Sequence, residues 1–119
     1  MEFPQVSEIK RIQPGARLSE ASVHEGRVYL AGQVAVGGGT IEAQAAEVLA
    51  SIDKLLAEAG TSKSRILMAQ IYLADMADYA GLNAVWDKWV PSPPPSRATV
   101  EARLAKPQWK VEIVVIAAV

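Results

Sequence analysis

Several stretches of this chain are apolar on both of their alternating faces, yet it holds only enough helix to cover one side of a sheet. In RILMAQIYLAD, residues 65–75, Ile66, Met68 and Tyr72 fall on one side of an extended chain, and Leu67, Ala69, Ile71 and Leu73 on the other. The segments around Tyr29 and Val114 read the same way. Strands of this kind need dry neighbours on both faces. Two helices are available to supply them. The first carries Val48, Leu49, Ile52, Leu55, Leu56 and Ala59 at helical spacing, with Thr40 standing as its N-cap and Gly60 as its stop. The second runs over about 76–89, with Tyr79, Leu82, Val85, Trp86 and Trp89 on or near one face, and the Ser92-Pro93-Pro94-Pro95 run cannot continue it. Both helices on one side leave the other side bare, so further copies of the chain are expected to cover it.

The remaining segments complete one domain over residues 1–119. VSEIKRI alternates as a half-exposed strand and ends at Pro14-Gly15. ASVHEGRVYLAGQVAV reads as two strands joined by a tight turn at Glu25-Gly26, the second nearly all apolar. The last two strands span roughly 97–103 and 109–119, with a turn around Ala105-Lys106-Pro107. The order strand, strand, strand, helix, strand, helix, strand, strand predicts an α+β sandwich: one mixed, six-stranded sheet with two helices on a single face.

Composition narrows the function. Half the residues are hydrophobic and 21% are charged, as in a folded globular protein. A net charge of -1 from interspersed residues gives no field to attract nucleic acid or an anionic membrane. With no cysteine, thiolate nucleophiles and zinc-cysteine sites are excluded. MEFPQVSEIK lacks the basic start and apolar stretch of a secretory signal, and a cytoplasmic protein is expected. His24, the single histidine, sits by a hairpin turn with no second ligand beside it, so neither a metal nor a cofactor is expected. GQVAVGGG lacks the Gly-Lys-Ser/Thr ending of a phosphate loop and reads as flexible linkage. Trp86 and Trp89 read as core or interface anchors, and Asp75 and Asp78 as residues of a helix start.

One carboxylate resists this inventory. The chain ends VEIVVIAAV, and Glu112 shares a strand face with Val114, Ile116 and Ala118. A charge in such a run is costly to bury unless a cation or hydrogen-bond donor meets it. Arg97 is the candidate, because it follows a stiff proline run and a guanidinium grips a carboxylate through two parallel bonds. If the last two strands pair, an odd-sum register puts Arg97 and Glu112 on one face and an even-sum register separates them. Two readings stay open: a salt bridge sealing the end of a hairpin, or a small-molecule site.

The motifs Gly32-Gln33, Ala57-Glu58-Ala59-Gly60, Leu73-Ala74-Asp75-Met76, Asn83, Pro95-Ser96-Arg97-Ala98-Thr99-Val100 and Val111-Glu112-Ile113 through Ile116-Ala117-Ala118 together carry a resemblance. Over about residues 17–119 the chain resembles the RidA (YjgF) family of reactive intermediate deaminases. That resemblance implies a chorismate-mutase-like fold and a homotrimer with ligand clefts between subunits. It implies that Arg97 binds a substrate carboxylate and that Glu112 orients or activates water, with Leu18, Ala31, Gly32, Asn83, Ala98 and Thr99 around the ligand. The implied reaction is hydrolysis of a 2-imino acid, the tautomer of an enamine, to a 2-oxo acid and ammonia. Many family members carry a tyrosine where Leu18 stands and a serine where Ala31 stands, so the chain looks like a short-form branch. The alternative is a non-catalytic trimer that binds a small carboxylate metabolite; a third reading is hydrolysis of a different enamine or ester.

Overall fold

The turn at Glu25-Gly26 organises the first half of the sheet. Both residues have positive φ, 48° and 78°, the pair of left-handed conformations that a two-residue hairpin loop uses. In the computed structural model, which describes residues 8–119, this turn joins β2 (Ser19–His24) to β3 (Arg27–Leu30), and β1 (Lys10–Pro14) pairs antiparallel with β2. The first two residues of the expected opening strand, 6 and 7, lie outside the described residues. A two-residue β4 (Gln33–Val34) follows, so the stretch read as flexible linkage begins with a strand.

α1 (Ile41–Glu58) starts at Thr40, whose side chain accepts a hydrogen bond from the Ala43 N–H at 3.1 Å, and the chain leaves it at Gly60 with φ 85°. Its stripe of Val48, Leu49, Ile52, Leu55 and Leu56 is buried. β5 (Ile66–Leu73), α2 (Tyr79–Trp89) and β6 (Ser96–Glu101) then form a strand-helix-strand unit, and β6 lies parallel to β5. Asp75 accepts from the Ala77 N–H at 2.9 Å in the turn before α2, the helix-start role read from the sequence. Trp86 is buried, and the Trp89 indole N–H donates to Asp53 at 3.0 Å, tying α2 to α1. β7 (Val111–Ala118) runs antiparallel on the other side of β5 and also pairs with β3 and β4. The order is β1-β2-β3-β7-β5-β6, with β4 attached to β7. This is the expected mixed sheet of six strands, with β4 as a short seventh.

Three expectations are corrected. β6 and β7 do not form a hairpin, because α2 delivers β6 to one flank of β5 while β7 occupies the other. The 102–110 connection steps past the end of β5, where the Ala102 N–H donates to Leu73 O and the Ala74 N–H to Lys110 O. Ile66 does not share a face with Met68: the pairing slips between them, and Ile66, opposite Ala117, joins Ala69, Ile71 and Leu73 on the helix side. Nor does the strand after Glu25-Gly26 run unbroken to Val36. From Tyr29 (opposite Ile116) to Gln33 (opposite Ile113) the chain advances from 29 to 33 while β7 goes from 116 to 113, so one extra residue is accommodated at Ala31-Gly32.

Both helices pack on one face of the sheet, over Val28, Leu30, Ala69, Ile71, Leu73 and the Val111, Ile113, Val115, Ala117 side of β7, all buried. The opposite face carries Tyr29, Met68, Tyr72, Val114 and Ile116, and no element of the described chain covers it. Tyr29 is 42% exposed there. No helix of the described residues is long and apolar enough to cross a membrane.

Candidate functional site

Glu112 projects from the uncovered face of β7, opposite Tyr72 on β5 and Val34 on β4. Its carboxylate leans over the irregularity at Ala31-Gly32. A Cβ on Gly32 would overlap Glu112 Oε2 and lie 2.8 Å from its Cδ, so the missing side chain is what lets the carboxylate occupy this position. Gln33 holds the bulged backbone in shape: its Nε2 donates to Ala31 O at 3.0 Å and to Glu20 Oε2 at 3.3 Å, while the Ala31 N–H donates to Glu20 O. Leu18, Ala31, Gly32 and Glu112 line one cavity of about 580 Å³, with Trp109, Glu20 and Glu47. Among the described residues no side chain or backbone donor hydrogen-bonds the Glu112 carboxylate.

Arg97 belongs to the other face. It lies opposite Ala69 on β5, whereas Glu112 lies opposite Tyr72, three residues along and so on the reverse side of the sheet. The Arg97 side chain packs between the edge strand β6 and α2. Nη1 donates to Asn83 Oδ1 at 2.9 Å and Nη2 to the Tyr79 hydroxyl at 3.1 Å. Its guanidinium carbon stands 5.2 Å from the Trp86 ring centroid and 5.8 Å from that of Tyr79, within cation–π reach of both. No carboxylate of the described residues forms an ion pair with it. The salt bridge across a hairpin, the plainer of the two readings of this pair, is therefore absent within the chain.

The residues singled out from the sequence thus fall into two groups. Leu18, Ala31, Gly32 and Glu112 come together on one side, and Asn83 and Arg97 on the other. Thr99 shares the Arg97 face of β6, and its hydroxyl oxygen is buried with no hydrogen-bond partner. Ala98 faces the uncovered side, and its carbonyl accepts from Gln70 Nε2 at 3.3 Å. Tyr79, Trp86 and Trp109 join the two groups without having been singled out for a site. Positions 79, 83 and 86 share one helical face, a spacing visible in the sequence, although it reads as core until Arg97 is known to lie against it. No group of three or more His, Asp or Glu side chains among the described residues is arranged to hold a metal ion.

A family model described as endoribonuclease L-PSP matches residues 8–119. The chain belongs to this YjgF/RidA/RutC family. A RutC family protein of Haemophilus influenzae is 61% identical over 114 residues, covering 92% of this chain and 97% of that protein. The RutC family protein YoaB of Escherichia coli is 42% identical over 112 residues, covering 93% and 98%. Among solved structures, a YjgF family member from Neisseria meningitidis superposes with a TM-score of 0.92 at 48% identity, covering 93% of this chain and 94% of that one. The YjgF-family fold expected from the motifs is the fold the chain has.

Proposed function

We propose that the chain hydrolyses reactive 2-imino acids to 2-oxo acids and ammonia, in clefts where Arg97 of one copy meets Glu112 of the next. The observation that carries this reading is the separation itself. A guanidinium without an ionic partner and a carboxylate without a donor sit on opposite faces of one sheet, and two copies can bring such faces together where one chain cannot. The homotrimer implied by the motifs, closing over the apolar face of the sheet, would supply that junction.

The chemistry asks little of the protein because an imine is already electrophilic. Arg97 holds the substrate carboxylate through its unused N–H donors, which fixes the C=N carbon in place. Glu112 accepts a proton from water as the oxygen bonds to that carbon, and the C=N π electrons move to nitrogen, which takes up a proton. That proton comes from Glu112, which then takes the carbinolamine hydroxyl proton and delivers it to the amine nitrogen as the C–N bond breaks, ammonia leaves and the C=O bond forms. Leu18 and Ala31 add no hydroxyl, so the apolar wall confines the water without directing it. Polyanion cleavage, the activity named in the family description, is disfavoured for this chain: Glu20, Glu47 and Glu112 share one cavity and would repel a phosphodiester.

Ammonia release from freshly generated 2-iminobutanoate tests the proposal. The expected result is acceleration over the uncatalysed rate, lost in Arg97→Ala and in Glu112→Gln; no acceleration at high protein concentration overturns it. The hydroxyl-free wall formed by Leu18 and Ala31 favours one second reading, a non-catalytic binder of small carboxylates. Its signature is a saturable rise in Tm with 2-oxo acids that needs Arg97, without turnover.

A further inference from the structure

We infer that Tyr79 and Asn83, with Trp86 beneath them, form a holder on α2 that sets the Arg97 guanidinium before ligand arrives. Asn83 therefore acts on the arginine, through the Oδ1 that accepts from Nη1. The inference deepens the carboxylate-binding reading above and rests on it.

Positions 79, 83 and 86 stack along one face of α2. Two of them accept hydrogen bonds from different nitrogens of Arg97, Asn83 from Nη1 and Tyr79 from Nη2. Two acceptors on separate nitrogens fix both the direction of the guanidinium and its rotation about the Cζ–Nε bond. Trp86 is 5% exposed, and its ring lies 5.2 Å from the guanidinium carbon. All three contacts are neutral, which leaves the positive charge uncompensated. A guanidinium carries five N–H donors, so two committed bonds still leave a pair for a carboxylate. The rotamer freedom of a long arginine is lost on folding and not on binding, which is how preorganisation raises affinity. A carboxylate at position 83 would hold the arginine equally well and spoil it, because it would neutralise the charge that the ligand needs.

Tyr79 and Asn83 are positioning residues by this account, and isosteric variants separate that role from a structural one. Tyr79→Phe keeps the ring and loses the hydroxyl; Asn83→Asp keeps the shape and adds a charge. The test combines 15N NMR of the Arg97 side chain with titration by 2-oxobutanoate. Wild type should show slow Nη rotation, which Tyr79→Phe speeds up. KM and the dissociation constant should rise about tenfold in Tyr79→Phe with kcat little changed, the mark of lost uniform binding. Asn83→Asp should bind 2-oxobutanoate at least about tenfold more weakly while its Tm holds or rises, so that affinity and stability part company. Fast Nη rotation in wild type, rotation unaffected by Tyr79→Phe, or an affinity loss that only follows a falling Tm would each overturn the holder. Slow rotation released by Tyr79→Phe, in a protein that binds no 2-oxo acid, would instead sustain the holder and reject the carboxylate reading.

Discussion

Gly32 matters for the space it leaves beside Glu112 and not for its backbone conformation. A Cβ there would occupy the space of the Glu112 carboxylate, so Gly32→Ala must swing that carboxylate away. The account predicts a folded Gly32→Ala protein whose deaminase activity falls by about as much as in Glu112→Gln, roughly the 100-fold or more of a lost general base. Circular dichroism checks the fold and ammonia release checks the activity; a fully active Gly32→Ala would mean that the carboxylate position does not matter. Arg97 and Glu112 were both legible as residues out of keeping with their surroundings, one after a proline run and one inside an apolar strand. Their placement on opposite faces was not legible, because alternation along each strand fixes faces only relative to its neighbours, and the neighbours are set by topology.

At the scale of elements, legibility followed locality. α1 with its Thr40 cap and Gly60 stop, and the hairpin at Glu25-Gly26, depend on residues within a few positions of one another and were read directly from the chain. The slip at Leu67 and the extra residue at Ala31-Gly32 depend on what lies across the sheet, as does the parting of β6 from β7 by β5. Gln44 on α1 carries no sign in the sequence of what it joins. It is fully buried on α1; its Nε2 donates to Gly39 O and Gln108 O at 3.0 Å each, and its Oε1 accepts from the Lys110 N–H at 2.8 Å. One amide thereby fastens the helix start to the 102–110 connection, which carries the chain past the end of β5 to β7. Gln44→Leu would leave those part-buried backbone groups without their side-chain partner, at a cost of about 1–3 kcal/mol. Urea unfolding should register that loss; a change below about 0.5 kcal/mol, within the range of an ordinary surface substitution, would show that the connection is secured elsewhere.

The whole molecule is asymmetric about its sheet: one face is sealed by two helices, and the other presents Tyr29, Met68, Tyr72, Val114 and Ile116 without cover from the described chain. An apolar sheet face left uncovered by its own chain is the kind of surface a second copy covers. Light scattering should therefore find an oligomer at micromolar concentration, and Ile116→Glu should shift it toward the mass of a single chain while preserving helix and strand content. Mixing two inactive variants shows whether Arg97 and Glu112 act across a junction between copies. Arg97→Ala and Glu112→Gln chains, unfolded together in equal amounts and refolded, should recover about a quarter of wild-type deaminase activity, since one junction in four of a cyclic assembly pairs an intact Arg97 with an intact Glu112. Activity no greater than that of the two variants refolded apart would contradict the account.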